Sequence, residues 1–164
     1  SSAASDVYKR QVLQEAGHAL QGWQGVSIGD IPRGAGLSSS ASLELGIARV
    51  FAHVSALDWN AIEMAQLSQK AENEWVGVNS GIMDQLTVAC GQKDRALFLD
   101  CRTLEVETVS LPSGSKVVIL DTRTRRGLVD SAYNQRRQQC EMACEYFQIA
   151  SLRELTIETL EKHL

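Results

Sequence analysis

The chain has 164 residues, 44% hydrophobic and 22% charged, with a formal net charge of −4. That length fits one domain or part of a larger one, with enough apolar content for a core. The mild acidity without a long basic run excludes nucleic acid as an expected partner. The lack of about 18 consecutive apolar residues excludes a membrane helix. Cys90, Cys101, Cys140 and Cys144 have neither zinc nor disulfide-framework spacing. Cys140 and Cys144 stand one helical turn apart and read as packing. With no signal-peptide pattern, the expected compartment is a reducing cytoplasm.

Residues 1–11 read Ser-Ser-Ala-Ala-Ser-Asp-Val-Tyr-Lys-Arg-Gln. This string is similar, residue for residue, to the in-frame translation of a transposon-type sequencing adapter. It is therefore set aside as a non-native segment, as a fusion scar would be, and is expected to pack poorly. The competing reading is a genuine Ser/Ala-rich helix start. Residues 12–19 can finish a helix, with Gly17 near its end. Residues 20–30 read as a strand, because 22–28 carry apolar side chains at period two.

That predicted strand leads into Ile31, Pro32, Arg33, Gly34, Ala35, Gly36, Leu37, Ser38, Ser39, Ser40, Ala41 and Ser42. Leu43, Ile47, Val50 and Val54 follow at helical spacing, predicting a helix over 41–57. A glycine-bent loop thus feeds a helix N-terminus, where backbone N–H groups lack intrahelical partners and the helix dipole is positive. Gly34 and Gly36 permit positive φ and clear the mouth of side chains. Three serine hydroxyls line the same mouth. This is the chemistry of a phosphate cradle; the plainer reading is a Gly/Ser turn that only caps a helix. No lysine follows the glycines, so it is not a Walker loop. Ser39 stands where a dinucleotide fingerprint needs its third glycine.

Asn60 with Glu63 reads as a capping box for a helix with an apolar stripe of Met64, Leu67, Ala71 and Trp75. Glu72 lies outside that stripe, where a solvated surface acid is the competing reading. Gly77 and Gly81 bracket a loop, and Asp84 then opens a short helix ending by Gly91. An ionised carboxylate is favoured at a helix start, so Asp84 could simply cap it. Residues 96–100, 105–110 and 116–121 read as strands. A polar, basic loop spans 122–126, a helix is predicted over 131–147, and another helix lies within 152–164.

The run from Pro32 to Ser42 resembles the central signature of the GHMP small-molecule kinases. Gln69-Lys70-Ala71-Glu72-Asn73, then Gly81-Ile82-Met83-Asp84-Gln85, is similar to the galactokinase branch. Ser131-Ala132-Tyr133-Asn134-Gln135-Arg136-Arg137 with Cys140 extends the likeness. Arg126-Gly127-Leu128 departs from it, since many relatives carry His-Ser-Leu there. The resemblance implies an α+β chain, the S5 domain 2-like N-terminal half of such a kinase over 12–110, with the start of the C-terminal half over 111–164. It also implies that a sugar-binding segment with an arginine and a C-terminal glycine-rich motif lie outside this chain, which is then a fragment expected to be inactive alone.

For the residues, the resemblance implies that Gly34, Ala35, Gly36, Leu37, Ser38, Ser39, Ser40 and Ala41 wrap the phosphates of ATP. Ser40 and Glu72 match its Mg²⁺ ligands and Asp84 its catalytic aspartate. Gly81 and Tyr133 match sugar contacts, Asp84 lying beside the sugar's anomeric hydroxyl. Phosphoryl transfer needs alignment and charge neutralisation more than covalent help, and hard Mg²⁺ takes a few oxygen ligands. Asp84 could accept the hydroxyl proton or only orient it. The implied activity is ATP-dependent phosphorylation of galactose to galactose 1-phosphate in galactose catabolism. The expected partners are a small-molecule sugar and ATP, with no nucleic acid and no membrane, and the full-length protein is expected to be a monomer. Competing readings are a kinase of N-acetylgalactosamine, arabinose or mevalonate, a non-catalytic sugar and ATP sensor on the same scaffold, and a dinucleotide-binding module. The missing third glycine and the missing parallel βαβ repeat argue against the last.

Overall fold

The structure, a computed structural model, describes residues 2–121 and 132–163. Its elements in order are helix α1 (Ser2–Glu15), α2 (Ser39–Val54), α3 (Ala61–Ala71), a wide π-type turn (Glu72–Val76), α4 (Met83–Cys90), strands β1 (Arg95–Asp100) and β2 (Glu105–Ser110), α5 (Ala132–Phe147), a 3₁₀ turn (Leu152–Glu154) and α6 (Ile157–Glu161). Helices α1 to α4 pack against one another around Leu13, Leu45, Ile47, Ala48, Phe51 and Met64. A second cluster of Ala65, Ile82 and Leu86 seats α4 on α3 and on the hairpin residues Leu99 and Val106.

The local reasons are legible. Asn60 caps α3, its Oδ1 accepting from the N–H groups of Ile62 and Glu63 at 3.2 Å each. The return half of the capping box is not made among the described residues; Glu63 instead faces His18 Nε2 at 3.4 Å. Gly77 closes the wide turn at φ 77, a left-handed cap that glycine adopts without a Cβ penalty. β1 and β2 pair antiparallel with Leu97 opposite Thr108 and Leu99 opposite Val106, the less exposed face of the hairpin.

Three expectations are corrected. Residues 20–30 form no strand: Val26 and Ile28 are 89% and 95% exposed. Residues 116–121 form none either, and the apolar run Val117 to Leu120 stands open. Period-two patterning only offers a face, and a strand also needs a neighbour for its N–H and C=O groups; among the described residues neither stretch has one. Nor does the N-terminal string pack poorly. α1 runs through the boundary drawn at residue 12, Tyr8 stacks on Trp75 with ring centroids 5.1 Å apart, and Lys9 is buried. A helix-forming string with a few apolar atoms finds a seat against α2 and α3 whatever its origin. Residues 152–164 contain the expected helix as α6, preceded by the 3₁₀ turn and separated from it at Leu155 and Thr156.

α2 begins and ends earlier than expected, and its buried face differs too. Of Leu43, Ile47, Val50 and Val54, only Ile47 is buried; the face that turns inward is Ala41, Glu44, Leu45, Ile47, Ala48, Phe51 and Ala52. Small residues let α2 approach its neighbours closely. The 122–126 loop and the Arg126-Gly127-Leu128 departure lie outside the described residues.

Candidate active site

The loop before α2 alternates in hand. Gly34, Gly36 and Ser38 have φ of 70, 74 and 56°, and Ala35 and Leu37 between them stay out of the left-handed region. Successive N–H groups in such an alternation converge on one concavity, the arrangement that suits an anion. Glycine takes these angles freely; Ser38 takes them at a cost of roughly 1–2 kcal/mol, so the surrounding fold imposes that conformation. Ser38 is the N-cap residue of α2 but its side chain makes no capping bond, and the first turn holds no acidic residue. The N–H groups of Ser39, Ser40 and Ala41 donate to no partner among the described residues. The helix start is therefore electrostatically positive, with N–H groups available to an anion.

Glu72 is not a surface acid. It is 5% exposed, and its Oε2 accepts from Ser80 Oγ at 3.1 Å and Gln85 Nε2 at 2.7 Å. Ser80 is fixed in turn, its carbonyl accepting from Gln69 Nε2 at 3.0 Å. The loop behind it is tied to α5: Asn134 Oδ1 accepts from the Asn79 N–H at 3.1 Å, and Asn134 Nδ2 donates to the Gly77 carbonyl at 3.2 Å. Gly81 follows in the same loop and is exposed.

Asp84 sits in the first turn of α4, half-buried. The N-cap residue of that helix is Ile82, and the Asp84 carboxylate accepts no hydrogen bond among the described residues. It is thus not the cap that sequence reasoning allowed it to be. The side chain of Tyr133 lies outside the described residues.

Two buried charges escaped the sequence reading. Lys9 Nζ and Glu44 Oε2 face each other at 3.4 Å, with Glu72 close enough to act on both electrostatically. Burial pushes the Glu44 carboxyl up to about 7, the Lys9 ammonium only partly opposing it, and burial lowers Lys9 to about 8. The signal for Glu44 was its place between Ala41, Leu45 and Ala48 on one helix face; long apolar side chains drew the reading to another face.

Ser40 lies one turn before Glu44 on α2, so it shares the helix face that reaches Glu72. Ser40 and Glu72 are not hydrogen-bonded to each other, and among the described residues no cluster of three or more His, Cys, Asp or Glu side chains could hold a metal alone. A hydroxyl and a carboxylate fit a hard cation that brings phosphate and water ligands with it. A pocket of about 310 Å³ lies elsewhere, lined by Cys101, Arg102, Ser151 and Arg153, and no predicted site residue reaches it. No described helix is long and apolar enough to cross a membrane.

The family profile described as GHMP kinases N terminal domain matches residues 4–92. Among solved structures, the chain is similar to the galactokinase of Lactococcus lactis, determined in complex with galactose, at 34% identity and a TM-score of 0.74. The match covers 96% of this chain and 43% of that one, so the chain spans less than half the length of the enzyme it resembles.

Proposed function

The chain belongs to the GHMP kinases, and on that premise we propose that it is part of a sugar kinase that transfers the γ-phosphoryl group of ATP to the anomeric hydroxyl of galactose. The observation that carries this reading is the left-handed loop at 34–38, which opens α2 with its N–H groups unpartnered in a chain 34% identical to a galactokinase.

In this reading residues 34–41 receive the nucleotide phosphates through backbone N–H groups, which need no reorganisation when charge shifts during transfer. Ser40 and Glu72 would hold Mg²⁺ together with the nucleotide. The ion, when bound, neutralises phosphate charge. Asp84 lies in the first turn of α4 with its carboxylate unencumbered among the described residues, and in this reading it takes or orients the proton of the sugar hydroxyl. That oxygen then forms its bond to the γ-phosphorus as the bond to the ADP oxygen breaks. Gly81 and Tyr133 contact the sugar. The site is assembled from elements that the loop 77–80 links, since Ser80 holds Glu72 while Gly77 and Asn79 hold α5.

The test uses the full reading frame that contains this chain. Purified protein is assayed for sugar-dependent ADP release from Mg-ATP with galactose, N-acetylgalactosamine, arabinose and mevalonate. The expected result is the highest kcat/KM with galactose. A higher kcat/KM with another acceptor would move the reading to that substrate, and nucleotide binding without turnover on any of them would favour a sensor.

A further inference from the structure

Gln85 belongs to the motif that carries Asp84, yet neither the motif nor the reaction assigned it a task. It is 0% exposed. Its Nε2 donates to Glu72 Oε2 at 2.7 Å, and the Gln85 side chain also favours the ionised form of the Glu44 carboxyl. An amide nitrogen has two N–H donors, so the side chain that holds Glu72 of the wide turn also favours a second buried carboxylate, Glu44 of α2. Reversing the amide would set its carbonyl oxygen against the Glu72 carboxylate, and that acceptor therefore dictates its orientation. Oε1 is left buried without a partner. An unsatisfied buried acceptor is destabilising, and it persists here because the Glu72 carboxylate holds the amide from its other end. With Oε2 of Glu72 occupied by Gln85 and Ser80, Oε1 of Glu72 accepts from no described residue and remains the oxygen open to a cation.

We infer that Gln85 is a positioning residue that aims the Glu72 carboxylate at the metal of a bound nucleotide and ties that carboxylate to the helix start bearing Asp84. The inference rests on the phosphoryl-transfer reading above. Groups that orient a metal ligand without touching the metal typically change metal affinity about 10- to 100-fold when removed.

The experiment is a calorimetric titration of the full reading frame with ADP, in Mg²⁺ and in EDTA, for wild type, Gln85→Met and Gln85→Asn. Methionine keeps the length and removes both donors; asparagine keeps the amide and withdraws it by one methylene. The expected result is that the Mg²⁺-dependent gain in ADP affinity shrinks about tenfold or more, while ADP affinity in EDTA and the circular dichroism spectrum stay unchanged. In a Glu72→Gln background Gln85→Met should then do nothing further, because both act on one ligand. Raising Mg²⁺ should restore turnover of Gln85→Asn with the sugar KM unaltered. A wild-type Mg²⁺ gain in either folded variant overturns the inference and leaves the kinase reading standing. A wild type with no Mg²⁺-dependent gain overturns both, and is recognised because it needs no variant.

Discussion

Through residue 90, Val12, Leu45, Phe51, Met64 and Leu86 are between 0 and 5% exposed; beyond it, Phe98, Val118 and Leu120 stand 68, 75 and 85% open. Both regions carry similar apolar side chains. A helix satisfies its own backbone and needs only a second helix to cover its stripe, so α1 to α4 close a core among themselves. A strand must find a neighbour first, and one hairpin alone is marginal. The candidate site follows the same division. Its loop, Glu72, Gln85 and Asp84 all lie in the region that closes, and among the described residues α5 is hydrogen-bonded to it through Asn134.

The strongest way to break the comparison is at Asp84, the less buried of the two site carboxylates. Asp84→Asn in the full reading frame is expected to lower kcat about 10²- to 10⁴-fold and leave ADP affinity, read by calorimetry, unchanged. Intact turnover in a folded variant would reduce Asp84 to a helix-start charge. Next is the floor under it. Leu86 is fully buried in the cluster that seats α4, and Leu86→Ala should cost about 2–5 kcal/mol in urea unfolding. A loss within about 0.5 kcal/mol, the usual range for surface sites, would mean that α4 is not seated as described.

Glu44 gives the comparison a pH axis. Its carboxyl titrates near 4.5 when unfolded and is pushed up to about 7 by burial in the fold. Between those values the folded chain keeps a proton that the unfolded chain has lost, so stability falls as pH rises through that window and the loss is complete above it. The drop should be on the order of 1–3 kcal/mol, and Glu44→Gln should abolish it. Lys9, lowered to about 8, acts with the opposite sign and only above that pH, where stability recovers. Denaturation midpoints at pH 5, 7 and 9 read both slopes. Smaller still is the Mg²⁺ demand. Ser40→Ala and Glu72→Gln should each raise half-saturating Mg²⁺ about tenfold, and the double variant should fall short of the sum because one ion is shared. Strict additivity would separate the two residues.

Much of the site was legible because its signals are local. Alternating glycines announce left-handed backbone, and Asn60 announces its cap within three residues. The GHMP signature matched where the family does. What escaped depends on distant partners. Glu72 reads as a surface acid until Ser80 and Gln85, eight and thirteen residues on, arrive at its Oε2. Glu44 was hidden because helical stripes are sought in long apolar side chains, whereas the inward face of α2 is built largely on Ala41, Ala48 and Ala52. The strands drawn over 20–30 and 116–121 had strand-like apolar content, but pairing is decided by a second segment that no local pattern contains.

The smallest expected effect probes that last point. Leu120 is 85% exposed and Ile28 95%, so replacing either by serine in this chain removes almost no buried surface. Little hydrophobic stabilisation is at stake when area was never withdrawn from water. The expected change in urea unfolding is within about 0.5 kcal/mol for each, against the much larger loss at Leu86. The same substitutions in the full reading frame sharpen the contrast. A cost there of roughly 1.5–3 kcal/mol, that of a covered aliphatic side chain, would show that the longer chain supplies the cover these apolar stretches lack here. An unchanged midpoint in both would leave them as exposed loops, and the apolar pattern at Val26, Ile28 and Val117 to Leu120 would carry no folding information. A large loss in this chain alone would contradict the exposure itself.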